Sequence, residues 1–240
     1  MQELSLNISH ECEMQCLGCE LSAQNSLSAK YLDNLISSGQ FFNKFSKKKI
    51  INLYGGNPIL NSSFSKLVTF LHKESVFIRV WSHLNISIDY LLKIKPYVNQ
   101  WCFYFPYFDS IKYQEYVGRH KFDDFDSMVK EIVSEKINPV LYMEVKQDML
   151  SELPSIIDYV LQRNVELWLF FYKKQFTSSI IKDIYYCSRY KNIFVIPCST
   201  QLEVGCCRVP VSSNSSFERQ LVYAKIVSFF KHFQTKFNIA

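Results

Sequence analysis

Three cysteines fall within eight positions near the start of the chain, in "ECEMQCLGCEL" from Glu11 to Leu21: Cys12, Cys16 and Cys19, spaced C-x3-C-x2-C. In a reducing compartment, thiols clustered this way serve as metal ligands or redox groups rather than as a disulfide framework. Zinc normally takes four tetrahedral ligands, and the nearby sequence offers only His10 as a fourth. Three thiolates also suit a [4Fe–4S] cluster, which then keeps one iron open for a substrate or cofactor. Three incidental buried thiols are the remaining reading, and spacing alone leaves all three open.

The elements that would hold this loop follow from the apolar pattern. "LSLNIS", Leu4 to Ser9, reads as a strand placed directly before the cysteines. From residue 50 onward strand and helix patterns alternate: "IINLYGG", a helix spaced on Phe64, Leu67, Val68, Phe70 and Leu71, "VFIRVWS", and a helix from Ile88 to Ile94 that stops before Pro96. "QWCFYF", the helix "FDDFDSMVKEIVSEK", "PVLYMEV", the helix "ELPSIIDYVLQRN" and "VELWLFFY" complete six strands. Short apolar strands separated by amphipathic helices predict a parallel α/β sheet with right-handed crossovers. Periodicity leaves an open doubly wound sheet and a partial, six-stranded TIM-like barrel equally available. Both place chemistry at the C-terminal ends of the strands, where the cysteine loop lies.

Composition narrows the class. The chain has 240 residues, 48% of them apolar, enough for one sizeable core. Met1 to His10 carries no basic segment followed by an apolar one, and no apolar run reaches the roughly 18 residues of a membrane span. A cytoplasmic protein without a membrane segment is the expectation. The net charge of +5 is spread thinly, "KKK" at Lys47 to Lys49 reads as a solvated loop, and the aromatics fall inside strands. No nucleic-acid module is recognisable.

The strand followed by "CEMQCLGC" resembles the radical S-adenosylmethionine (radical SAM) superfamily, whose members bind a [4Fe–4S] cluster through this spacing after the first strand. The resemblance implies a partial (β/α)6 TIM-like barrel, with Cys12, Cys16 and Cys19 as cluster ligands and SAM chelating the open iron. "YGGNP", ending the second strand, is similar to the family's GGEP motif, so Gly55, Gly56, Asn57 and Pro58 would meet the SAM amino group. The resemblance further suggests SAM contacts from Gly18, from Ser82 in "VWSHLN" and, at the carboxylate, from Lys146 in "MEVKQD". Two positions depart from the family pattern: Gly18 stands where a ring is common, and Asn57 replaces a glutamate, although its amide oxygen can still accept from an ammonium.

The end of the chain has another character. We divide it into a radical SAM-like core over residues 1–180 and a Cys-containing extension with a closing helix over 181–240. Cys198, Cys206 and Cys207 in that extension resemble an abbreviated SPASM or twitch segment, which would hold an auxiliary Fe–S cluster with Cys187 as a further ligand. Cys102, inside a strand, reads as a core thiol. The resemblance implies a peptide or protein substrate, reductive SAM cleavage to a 5′-deoxyadenosyl radical, and a reductase or flavodoxin-type electron donor. Alternatives are a glycyl-radical-enzyme activase, a small-molecule enzyme such as the 7-carboxy-7-deazaguanine synthases, and a non-catalytic peptide-binding barrel.

Overall fold

The computed structural model describes residues 3–14, 16–17, 19, 26–38, 50–83, 86–118 and 121–198. Seven strands form one sheet: β1 (Glu3–Ser9), β2 (Ile50–Gly55), β3 (Phe77–Ser82), β4 (Gln100–Tyr104), β5 (Pro139–Glu144), β6 (Glu166–Tyr172) and β7 (Ile193–Cys198). Their spatial order is their chain order, and every neighbouring pair is parallel. A doubly wound sheet reverses its strand order once; this one never does, so its progression is that of a β/α barrel. β1 and β7 are not paired with each other, and the barrel is open between them.

Among the described residues seven helices occupy the crossovers: α1 (Ala29–Ser37), α2 (Phe64–Lys73), α3 (Ile88–Ile94), α4 (Ser110–Val117), α5 (Phe122–Ser134), α6 (Leu153–Arg163) and α7 (Ser178–Tyr186). Alternation along each strand sends one set of side chains to them. Leu6, Ile8, Leu53, Val80, Phe103, Leu141, Met143, Leu169 and Val195 pack there against Phe64, Leu67 and Leu71 of α2, Phe125 and Val129 of α5, and Ile156 and Val160 of α6. The opposite set, Trp81, Cys102, Tyr104, Val140, Tyr142, Trp168, Phe170, Ile196 and Cys198, forms a second core. Strands buried on both faces read as continuous apolar runs, which is how they stand in the sequence. Among the described residues no helix is long and apolar enough to cross a membrane.

The inner face is layered. Toward the N-terminal ends of the strands, Ser5, Asn52, Arg79 and Gln100 lie side by side in register. Arg79, 2% exposed, donates to Gln100 Oε1 at 2.7 Å and to Asn52 Oδ1 at 3.3 Å, and its guanidinium lies 5.4 Å from the Trp168 ring centroid. Trp81 Nε1 donates to the same Asn52 oxygen at 3.0 Å, and Asn52 Nδ2 donates to Glu3. Above this polar floor the Trp81 ring meets Tyr142 at 4.9 Å and Trp168 at 5.7 Å. The mouth at the C-terminal ends is therefore set over an aromatic wall.

Three elements differ from the sequence reading, one of them α1, for which that reading gave no helix ahead of residue 50. The strand count is seven rather than six: Ile193–Cys198 extends the same sheet into residues assigned to the extension, so the β/α succession runs past residue 180 to residue 198. Pro197 and the Cys- and Ser-rich residues after it hid this strand, yet proline is tolerated in an edge strand, and β7 is one. α4 was also missed, because it buries only Tyr113 and Val117 and shows little helical periodicity. The closing helix expected over 217–233 lies outside the described residues.

Candidate active site

The cysteine loop leaves β1 at its C-terminal end, and backbone hydrogen bonds tie it to the end of β2. Gly56 N donates to Ser9 O at 2.8 Å, and Asn57 N donates to Glu11 O at 2.7 Å. Gly55 makes this approach possible. Its φ is +132°, and a Cβ there would lie 2.1 Å from Ser9 O and 2.5 Å from Asn7 Oδ1. Only glycine takes that backbone shape with so little space. Pro58 then opens a short 3-10 turn, Pro58–Leu60, that turns the chain toward α2.

β3 completes the junction. Ser82 Oγ donates to Asn57 Oδ1 at 3.2 Å, with both residues fully buried. Next to it, His83 Nε2 lies 3.1 Å from Cys12 Sγ. His83 is 3% exposed, and its Nδ1 has no hydrogen-bond partner among the described residues. Three strand ends thus converge on Cys12. Ser82 was expected here from the sequence; His83 was not, since a single histidine at a strand end carries no spacing signal.

Cys12 and Cys16 are half-buried and touch both the outer and the inner core, whereas Cys19 is exposed, with its amide donating to Cys16 O at 3.2 Å. Gly18 lies outside the described residues. Among those described, no three His, Cys, Asp or Glu side chains converge closely enough to hold a single metal ion. Three thiols on one loop at the barrel mouth are a donor set that fits a [4Fe–4S] cluster, in which each thiolate binds a different iron.

A second wall of the mouth comes from β5 and α4. Lys146 Nζ lies 5.1 Å from the ring centroids of both Tyr107 and Tyr116 and 3.3 Å from the Tyr107 hydroxyl. The carbonyl of Tyr116 accepts the amide of Leu17, inside the cysteine loop, at 2.7 Å. Lys146 and the cysteines are therefore linked through one tyrosine. Burial raises the Glu144 carboxyl above its ordinary range, against the lowering charge of Lys146. The Cys198 thiol is pushed up to about 12, chiefly by burial and then by the charge of Glu144. At neutral pH Cys198 is a protonated thiol.

The cysteines expected to hold an auxiliary cluster are not gathered among the described residues. Cys198 belongs to the inner core and Cys187 to the outer one, so the sheet separates them. Cys206 and Cys207 lie outside the described residues. Cys102 is buried, as expected, on the inner face.

No protein-family model matches the chain, and no curated protein does either. Solved structures do match its fold. Streptococcus suis SuiB bound to precursor peptide SuiA superposes with a TM-score of 0.65 over 82% of this chain and 49% of SuiB, at 12% identity. Native anSMEcpe with bound AdoMet and the Cp18Cys peptide gives a TM-score of 0.51 over 70% of this chain and 50% of its own, at 14% identity. Methylornithine synthase (PylB) gives 0.53 over 95% of this chain and 63% of its own, at 16% identity. The chain spans about half the length of the first two. The open, in-order parallel barrel of this chain is the fold it shares with SuiB, anSMEcpe and methylornithine synthase.

Proposed function

We propose that the chain is a radical SAM enzyme acting on a peptide or protein. The observation that carries this reading is the junction at the barrel mouth. There a C-x3-C-x2-C loop is hydrogen-bonded through Ser9, Glu11 and Cys12 to a Gly-Gly-Asn turn and to the end of β3. In this reading Cys12, Cys16 and Cys19 would hold a [4Fe–4S] cluster, which when bound would supply the electron for reductive cleavage of SAM and so the means of hydrogen abstraction from the substrate.

The chain's own residues orient and shield. Gly55 and Gly56 bring backbone close to the ligand space, where SAM would lie. The Asn57 amide oxygen, which accepts from Ser82, is the acceptor in this turn that would meet the SAM ammonium. Lys146, held between two tyrosine rings, offers a cation for a carboxylate. The rings of Trp81, Tyr142 and Trp168 line the interior with apolar surface, which suits a reaction that must keep water out. A reductase or flavodoxin-type protein would deliver the electron. An auxiliary cluster would have to draw on Cys198, Cys206 and Cys207 and on a donor other than Cys187.

A peptide substrate is supported by the two peptide-bound neighbours, SuiB with SuiA and anSMEcpe with Cp18Cys. A small-molecule reading is favoured by one observation: methylornithine synthase superposes on 95% of this chain. Anaerobic reconstitution tests the common chemistry. Wild type should bind about four irons and form 5′-deoxyadenosine from SAM under reduction, and Cys16→Ala should form none while keeping its circular dichroism spectrum. Undiminished 5′-deoxyadenosine from the Cys12/Cys16/Cys19→Ala variant would overturn the assignment. About eight irons in wild type with about four retained in that variant would instead locate an auxiliary cluster, whereas about four in both would overturn the assignment of Cys12, Cys16 and Cys19.

A further inference from the structure

We infer that His83 is a positioning residue for the cluster: its Nε2–H donates to the sulfur of Cys12 and stabilises the reduced state. The inference rests on the radical SAM reading of the cysteine loop. Its basis is the 3.1 Å contact between Nε2 and Cys12 Sγ, made by an imidazole that is 3% exposed.

The ring's two nitrogens divide the work. A thiolate bound to iron can only accept a hydrogen bond, so the proton of the facing nitrogen must sit on Nε2. Nothing competes for it, since Nδ1 has no partner among the described residues to hold a proton there. The backbone at His83 is also held. Ser82 Oγ lies 3.2 Å from both Asn57 Oδ1 and the His83 carbonyl and shares its one proton between them, so the histidine stands on a strand end rather than on the cysteine loop. Reduction adds negative charge that spreads onto the ligand sulfurs. An N–H aimed at one of them favours the reduced form, more strongly in a buried site than in water.

Three expected residues meet around this contact: Cys12 comes from the loop after β1, Asn57 from the turn after β2 and Ser82 from the end of β3, and Ser82 reaches Asn57 as the adjacent His83 reaches Cys12. A change at the SAM-binding turn is thus carried by two hydrogen bonds to a ligand of the cluster.

The test compares reconstituted wild type, His83→Gln and His83→Phe at matched iron content by EPR-monitored redox titration. At the wild-type midpoint, the ratio of reduced to oxidised cluster should fall about tenfold in His83→Phe, equivalent to about 59 mV for one electron. His83→Gln, which keeps an N–H donor, should recover most of that loss. Pulsed EPR on wild type labelled with 15N-histidine should show a nitrogen coupling to the reduced cluster. Equal midpoints in all three proteins, or no nitrogen coupling in wild type, would overturn the role of His83. Should His83→Phe fail to fold, the 15N-histidine coupling decides: it should be present in wild type and lost in His83→Gln labelled the same way, and its persistence in His83→Gln would overturn the role of His83. A wild type that binds no iron fails earlier, in the iron count, and refutes the cluster reading itself.

Discussion

Gly55 is where the cysteine loop and the second motif depend on one backbone angle. Its φ of +132° lets Gly56 and Asn57 donate to Ser9 and Glu11, and a methyl group would meet Ser9 O at 2.1 Å. Alanine there has two poor choices: keep a strained angle at a cost of about 2 kcal/mol, or move the turn away from the loop. Gly55→Ala is expected to lower the thermal midpoint of the iron-free protein and, after reconstitution, to bind fewer irons than wild type. Differential scanning calorimetry and an iron assay read the two effects separately. At this scale the sequence was informative where spacing or a rare dipeptide marks a site, as with the three cysteines and Gly55-Gly56. His83 was illegible because its role comes from the register of β3 beside β2 and from a loop 71 positions earlier. The opposite placement of Cys187 and Cys198 was equally hidden, since strand alternation fixes which face a thiol joins only once the strand is known.

Among the elements, α4 buries only Tyr113 and Val117 and yet reaches the cysteine loop. Asp109 caps it, accepting Ile111 N at 3.0 Å and Lys112 N at 2.9 Å, and Gly118 ends it at a φ of 82°. Glu152, at the start of α6, fastens the cap by accepting Phe108 N and Asp109 N as well as the Lys112 ammonium at 2.9 Å. From the last turn of the helix, the Tyr116 carbonyl receives Leu17 N. Losing the cap in Asp109→Ala should cost about 1 kcal/mol, and part of that loss should appear as looser anchoring of Leu17. Amide exchange at Leu17 is therefore expected to quicken in Asp109→Ala, while amides of the β5 and β6 core keep their protection. Unchanged exchange at Leu17 would show that the loop is held independently of α4. The helices the sequence revealed are those with a full apolar stripe, such as α2 with Phe64, Leu67, Val68 and Leu71. α4 and β7 lacked that signal, one because its stability is vested in caps and the other because a proline interrupts an apolar run.

The whole molecule is a curled sheet whose inner face changes character along the strands, from hydrogen-bonded polar groups at one end to rings in the middle and the candidate site at the other. Asn52 joins the first two layers. It is fully buried, receives Trp81 Nε1 and Arg79 Nη1 on one oxygen, and donates to Glu3 and Ser5 from β1. One side chain thus serves three strands and a buried cation. Hydrophobicity alone would suggest that Asn52→Leu, nearly equal in size, stabilises the interior. The hydrogen-bond account says the reverse: leucine removes the acceptor of two buried donors, one of them charged, and isolates the Glu3 contact as well. The expected loss is about 3 kcal/mol, seen as a lower urea midpoint with an unchanged slope. Because Trp81 stands above Asn52 and against Tyr142 and Trp168, the same substitution should shift tryptophan fluorescence in the folded baseline. A midpoint equal to or above that of wild type would mean that the floor of the barrel is held by apolar packing, and that the polar layer contributes only to the choice of register.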